Sequence, residues 1–181
     1  MKTRTVSIVK HPPELVWRTM RDRLPEIARL VEDIESVSAS SKETDPAGAV
    51  HIVNIWQARP KLPAVVVSHV RADMLAWTDR SVWPAKKFEC AWRIEPHFFA
   101  ERIDCRGVTR YEPAMGRRGT RITFDGDLDI SIADLPGVPP ALENVVAQAI
   151  KSILGGLIPK NFRRIVEAMA AMLDNGKVQP R

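Results

Sequence analysis

The chain has 181 residues, 45% hydrophobic and 27% charged, a balance that suits one soluble globular domain with a single core. No stretch approaches the roughly 18 apolar residues of a membrane span, and Ser7, Lys10 and His11 interrupt the opening apolar residues, so no secretory core is expected and a cytoplasmic location is. The net charge of +5, from 27 basic and 22 acidic residues, tolerates an acidic partner without requiring one.

Arg4 to Val9 alternate, with Val6 and Ile8 on one side, as in a half-buried strand. His11-Pro12-Pro13 ends it, and proline at a helix start leads into an apolar helical spacing over Glu14 to Met20. Leu24 to Val31, opened by Pro25, reads as a second short helix. From Ile34 the pattern becomes short extended runs: Ile34 to Ser41, Val50 to Gln57, Val65 to Val70, Leu75 to Val82, Phe88 to Glu95, Ala100 to Tyr111 and Thr120 to Ile132. Their short, turn-rich connections predict an antiparallel meander.

In the last of these runs Asp125, Asp127 and Asp129 alternate like the first ligands of a calcium loop. That loop needs glycine next and a glutamate at its twelfth position, where Ile130 and Pro136 stand instead, so no metal site is expected. As a strand, the segment turns Ile122, Phe124, Gly126, Leu128 and Ile130 to one face and the aspartates to the other. The preceding run places Ile103, Cys105, Gly107, Thr109 and Tyr111 opposite Arg102, Asp104, Arg106, Val108 and Arg110, which predicts cross-strand arginine–aspartate pairs outside. Phe88, Cys90, Trp92 and Ile94 form a third apolar face. Cys90 and Cys105 lack zinc-binding spacing and read as buried free thiols.

Leu142, Val145, Val146, Ala149, Ile150, Ile153 and Leu154 make the apolar stripe of an amphipathic helix. Gly155-Gly156 and Pro159 predict a kink or break, after which Phe162, Ile165, Val166, Met169 and Leu173 resume the spacing up to the Asn175-Gly176 stop. One domain over residues 1–176 is therefore expected, with 177–181 a flexible tail.

Strand, two small helices, meander and final helix is the order of the helix-grip fold, and local residues fit it. Pro12-Pro-Glu-Leu-Val-Trp17, Leu24-Pro-Glu-Ile-Ala-Arg-Leu-Val31 with Ile34-Glu-Ser-Val37, and Tyr111-Glu-Pro-Ala-Met-Gly116 with Gly119-Thr-Arg-Ile-Thr-Phe124 resemble the START-like superfamily, which includes lipid-transfer domains, pollen-allergen-like proteins and polyketide cyclases. The resemblance covers nearly the whole chain. It implies an α+β fold in which a curved antiparallel sheet of about seven strands wraps around a long C-terminal helix, with two short helices after the first strand. It also implies a cavity between sheet and helix that takes a hydrophobic molecule such as a lipid, quinone or polyketide-like compound, with no cofactor.

Candidate cavity residues are Trp56, His69, Trp77, Trp92, Tyr111 and Phe124 from the sheet and Ile150, Leu154 and Leu157 from the helix. Trp83 and His51 also lie in the strand region, where the tryptophans serve equally as core. Binding or transport is the first reading. A cyclase or aromatase working through a pocket histidine or Tyr111 is the second, and a protein- or RNA-associated module resting on Arg117, Arg118, Arg121, Lys160, Arg163 and Arg164 the third. No phosphate loop, serine-hydrolase elbow or histidine pair at metal spacing is present, and nucleic acid is not favoured because no aromatics interleave the basic clusters.

Overall fold

A computed structural model describes residues 1–59, 75–97, 100–130 and 143–176. Among them run β1 (Lys2–Val9), α1 (Pro13–Asp22), α2 (Leu24–Ala28), β2 (Ile34–Thr44), β3 (Val50–Ala58), β4 (Ala76–Trp83), β5 (Glu89–Pro96), a 3-10 turn at Ala100–Arg102, β6 (Ile103–Ala114), β7 (Gly119–Ile130) and α3 (Glu143–Asp174). The seven strands form one antiparallel sheet in the order β1-β7-β6-β5-β4-β3-β2, so each consecutive pair from β2 to β7 is a meander and β1 closes against the last strand. Together with α3 and the two short helices after β1, this is the helix-grip architecture. No helix among the described residues is long and apolar enough to cross a membrane. The run Val65 to Val70 lies outside the described residues.

Pro12 is extended and Pro13 occupies the first helical turn, where a missing N–H leaves no hydrogen bond unmade. The α1 helix buries Val16, Trp17 and Met20 against the sheet, and the Trp17 indole N–H donates to the Glu89 carbonyl at 3.0 Å. The far half of α3 buries Ile165, Val166, Met169, Met172 and Leu173. Its end is tied back by His11 to Asp174 at 2.8 Å, and Arg164 forms an ion pair with Asp33 before β2.

Three expectations meet the structure as follows, the first of them only in its alternative of a break. The α3 helix runs unbroken through Gly155, Gly156 and Pro159. Proline removes a single N–H from the ladder, and the strongly buried turns beyond it hold the helix together. On β1, Val6 and Ile8 face outward and are 49% and 58% exposed, while Thr5 and Val9 are buried. Pairing decides this: Thr5 stands opposite Phe124 and Ile8 opposite Arg121, and residues paired across an antiparallel ladder share a face. Phe88, finally, precedes β5 and is 42% exposed; it packs on Trp17 with ring centroids 5.8 Å apart.

The convex face carries the expected charge pairs. Arg110 and Arg4 reach Asp125 at 2.8 and 3.4 Å, the N-terminal amine reaches Asp127 at 3.3 Å, and Arg93 and Arg106 share Asp104 at 3.3 and 3.2 Å. Among the described residues no three His, Cys, Asp or Glu side chains converge as metal ligands.

Candidate functional site

The concave face is built in rows, because directly paired residues on neighbouring strands point the same way. One row runs Asn54, Asp79, Ile94, Cys105, Leu128, and the next runs Ile52, Ser81, Trp92, Gly107, Gly126, Thr3. Toward the β4 start, Val37, Trp56, Trp77 and Pro96 form the outermost row. Toward the opposite end lie Trp83, Cys90, Thr109, Phe124, Tyr111 and Ile122.

The tryptophans make two platforms on this face. Trp56 and Trp77 stack with centroids 5.5 Å apart and planes 13° from parallel; Trp56 is buried and Trp77 half-buried. Trp92 stacks on Phe124 at 4.6 Å, and Phe162 of α3 closes on the other side of Phe124 at the same separation. Trp92 can lie flat only because the strands beneath it carry paired glycines. A β-carbon on Gly107 would stand 2.4 Å from its ring and one on Gly126 would stand 2.9 Å from it, far inside van der Waals contact. The Trp92 indole N–H then donates to Thr109 Oγ1 at 3.1 Å.

Tyr111 lies deeper in the packed end, 3% exposed, with its ring 6.2 Å from that of Trp83. Burial pushes its hydroxyl well above the usual phenol range, with the nearby Cys90 thiol and Asp79 carboxyl adding to the shift. The Cys90 thiol is itself pushed far up by burial, and Cys105 to about 11, so both cysteines are free, buried and protonated. His51, weighed above as a pocket acid or base, is corrected: it is exposed on the outer face and bonds Asp45 at 3.0 Å. His69 lies outside the described residues, as do the side chains of Ile150, Leu154 and Leu157.

Asp79 is the residue that the reading of the sequence missed. The signal was present in Trp77-Thr-Asp79-Arg-Ser81-Val-Trp83, where period-two alternation places a carboxyl between tryptophans on the inward face. Burial raises its pKa to about 6, against the opposing pull of hydrogen bonding from the Asn54 side chain and the nearness of the Trp56 indole. The Trp56 Nε1–H lies close enough to act on that carboxyl without closing a hydrogen bond to it. Burial dominates the Asp79 carboxyl, yet the residue as a whole, like Trp77 and Ile94, is only half-buried. A carboxyl poised near neutrality on the inward face can accept or donate a proton.

No protein-family model matches the sequence, and no match is found among curated proteins. Solved structures do match. TTHA0849 from Thermus thermophilus aligns over 94% of this chain and 98% of its own, with 14% identity and a TM-score of 0.66. The Zhui aromatase/cyclase of a Streptomyces species aligns over 96% and 95%, with 14% identity and a TM-score of 0.62. Ara h 8.0201 aligns over 97% and 98%, with 14% identity and a TM-score of 0.53. At this identity the likeness is one of fold, and the chain has the helix-grip fold.

Proposed function

We propose that this protein binds or carries a hydrophobic or amphipathic small molecule, a lipid, quinone or polyketide-like compound, between its curved sheet and C-terminal helix. The observation behind the reading is the outer part of the concave face. There Trp77, Asp79 and Ile94 are set inward by strand alternation and still keep accessible surface, beside a stacked Trp56. Apolar rings with one convergent polar group are the usual make-up of a small-molecule site, since burial supplies affinity and the polar group fixes orientation. Trp56, His69, Trp77, Trp92, Phe124, Ile150, Leu154 and Leu157 remain the proposed lining, with Asp79 and Asn54 added. Tyr111 is better suited to packing, being sealed against Trp83.

A second reading, a cyclase-type enzyme, is favoured by the Asp79 carboxyl near pKa 6 and by the fold shared with an aromatase/cyclase. In that reading Asp79 takes a proton from a carbon beside a carbonyl and returns it to oxygen. Native mass spectrometry of the purified chain tests the first reading, and a bound mass lost on denaturation and identified as a lipid, quinone or polyketide is the expected result. An empty protein that also fails to bind any of these compounds in titration would overturn it.

A further inference from the structure

Three of the indole N–H groups are closed internally: Trp17 on the Glu89 carbonyl, Trp83 on Ser81 Oγ at 3.0 Å and Trp92 on Thr109 Oγ1. Trp56 differs. It is 8% exposed, and its Nε1–H has no hydrogen-bond partner. Buried donors are rarely left open, and an open one in a binding face is a place for a ligand atom. The Asp79 carboxyl lies near this donor, across from Asn54 in the β3–β4 register, on a residue that is half-buried as a whole. On the same side, the half-buried Trp77 ring is stacked on Trp56 and offers a flat apolar surface.

We infer that Trp56 and Asp79 form a donor–acceptor pair that selects ligands bearing a hydroxyl on a planar apolar ring system, the ring lying against Trp77. The argument rests on the ligand-binding reading above and deepens it. A hydroxyl satisfies both sides through a single atom: its oxygen accepts from Trp56 Nε1–H while its proton is donated to the Asp79 carboxylate. A carbonyl fills only the first role while Asp79 is ionised, and a methyl group fills neither. The selectivity follows from leaving the buried Trp56 donor unpaired, and the Asp79 carboxylate with Asn54 as its hydrogen-bond donor, when the hydroxyl is missing.

The test is a fluorescence titration of the full chain at neutral pH with hydroxynaphthalene and methylnaphthalene, the same rings carrying one or the other group at the same position. The wild-type protein should prefer the hydroxyl compound by about tenfold or more, the scale of one charge-assisted hydrogen bond. Trp56→Phe and Asp79→Leu should each reduce that preference to about twofold, read as the ratio of the two affinities within one variant. Wild-type protein binding both probes equally would overturn the pair and leave the binding reading standing; so would folded variants that keep the preference. Failure of both probes to bind would remove the binding reading itself. The wild-type comparison decides the matter even where a variant does not fold.

Discussion

The two ends of the concave face are made by the same strands with the same alternation, and they finish differently. At the end where β1 stops, Trp17, Trp83, Cys90, Tyr111 and Ile122 are all at or below 5% exposure, sealed by α1 and the far half of α3. At the end where β4 begins, Trp77, Asp79 and Ile94 point inward in the same way and keep accessible surface. Aromatic content does not separate them, since each end holds a ring stack. What separates them is the state of the indole N–H groups, closed toward the sealed end on Ser81, Thr109 and the Glu89 carbonyl and left open at the other end on Trp56. Where the packing is complete the face is core, and where it is incomplete the face can be a site.

The largest effect that would break this comparison comes from paired truncations. Trp83→Ala at the sealed end should cost about 3–5 kcal/mol, the usual range for removing a fully packed tryptophan. Trp77→Ala should cost about half of that, because part of its surface is already accessible, and should instead weaken ligand capture. Urea unfolding of both variants measures the difference; equal losses would mean that the two ends are one core.

Asp79 sharpens the contrast through pH. Its folded pKa of about 6 lies above the ordinary 3.8, so the stability it confers is fully present below the unfolded value and is lost as the pH rises through 6. Two units correspond to about 3 kcal/mol, and the surface that Asp79 keeps accessible reduces this to about 2. Asp79→Asn removes the titration. The stability difference between Asp79→Asn and wild type should therefore shift in favour of the variant between pH 4 and pH 7 by about that amount. Denaturation midpoints across that range give the slope, and a flat difference would place the carboxyl in ordinary solvent.

Gly107 tests how the middle of the face is floored. Gly107→Ala places a methyl group 2.4 Å from the Trp92 ring and 2.1 Å from the Asp125 carbonyl, so the β6–β7 ladder must shift locally and Trp92 must move on its stack with Phe124. A loss of about 1–3 kcal/mol is expected, the scale of overpacking, together with a reduced near-ultraviolet dichroism from the displaced indole. An unchanged spectrum would show that the ring does not depend on the glycine pair.

The order of elements was legible in the sequence because turn residues and period-two patterns mark each strand locally. The inward faces of β5, β6 and β7 could be read the same way, each carrying more apolar residues on one side. On β1 the pattern misled, since Val6 and Ile8 look like core while their ladder partners, Thr123 and Arg121, put them outside. Edge-strand orientation is set by the neighbour, which a local reading does not contain. At the site, the tryptophans announced themselves by size, but Asp79 did not. One aspartate among aromatics reads as a surface residue until register sets it opposite Asn54 and beside an open indole N–H. The α3 helix shows the reverse case, in which strong local breakers lost to burial farther along.

The smallest effect belongs to the convex face, which serves as the reference for both ends. Asp104 joins Arg93 and Arg106 in a ladder that Glu95 extends to Arg80 at 2.9 Å, and the arginines are 56–70% exposed. Exposed pairs gain little, because water screens the charges and ordering long side chains costs entropy. Here Arg80, Arg93 and Arg106 stand directly opposite one another across three strands, so Asp104 also relieves like-charge crowding. Asp104→Asn should therefore cost about 0.5–1 kcal/mol at low ionic strength, and the loss should shrink as salt is added. It should leave the preference between hydroxynaphthalene and methylnaphthalene unchanged, because the ladder and the Trp56–Asp79 pair lie on opposite faces of the sheet. A change in that preference would couple the two faces through the strand backbone and end the separation between a stabilising outer surface and a selective inner one.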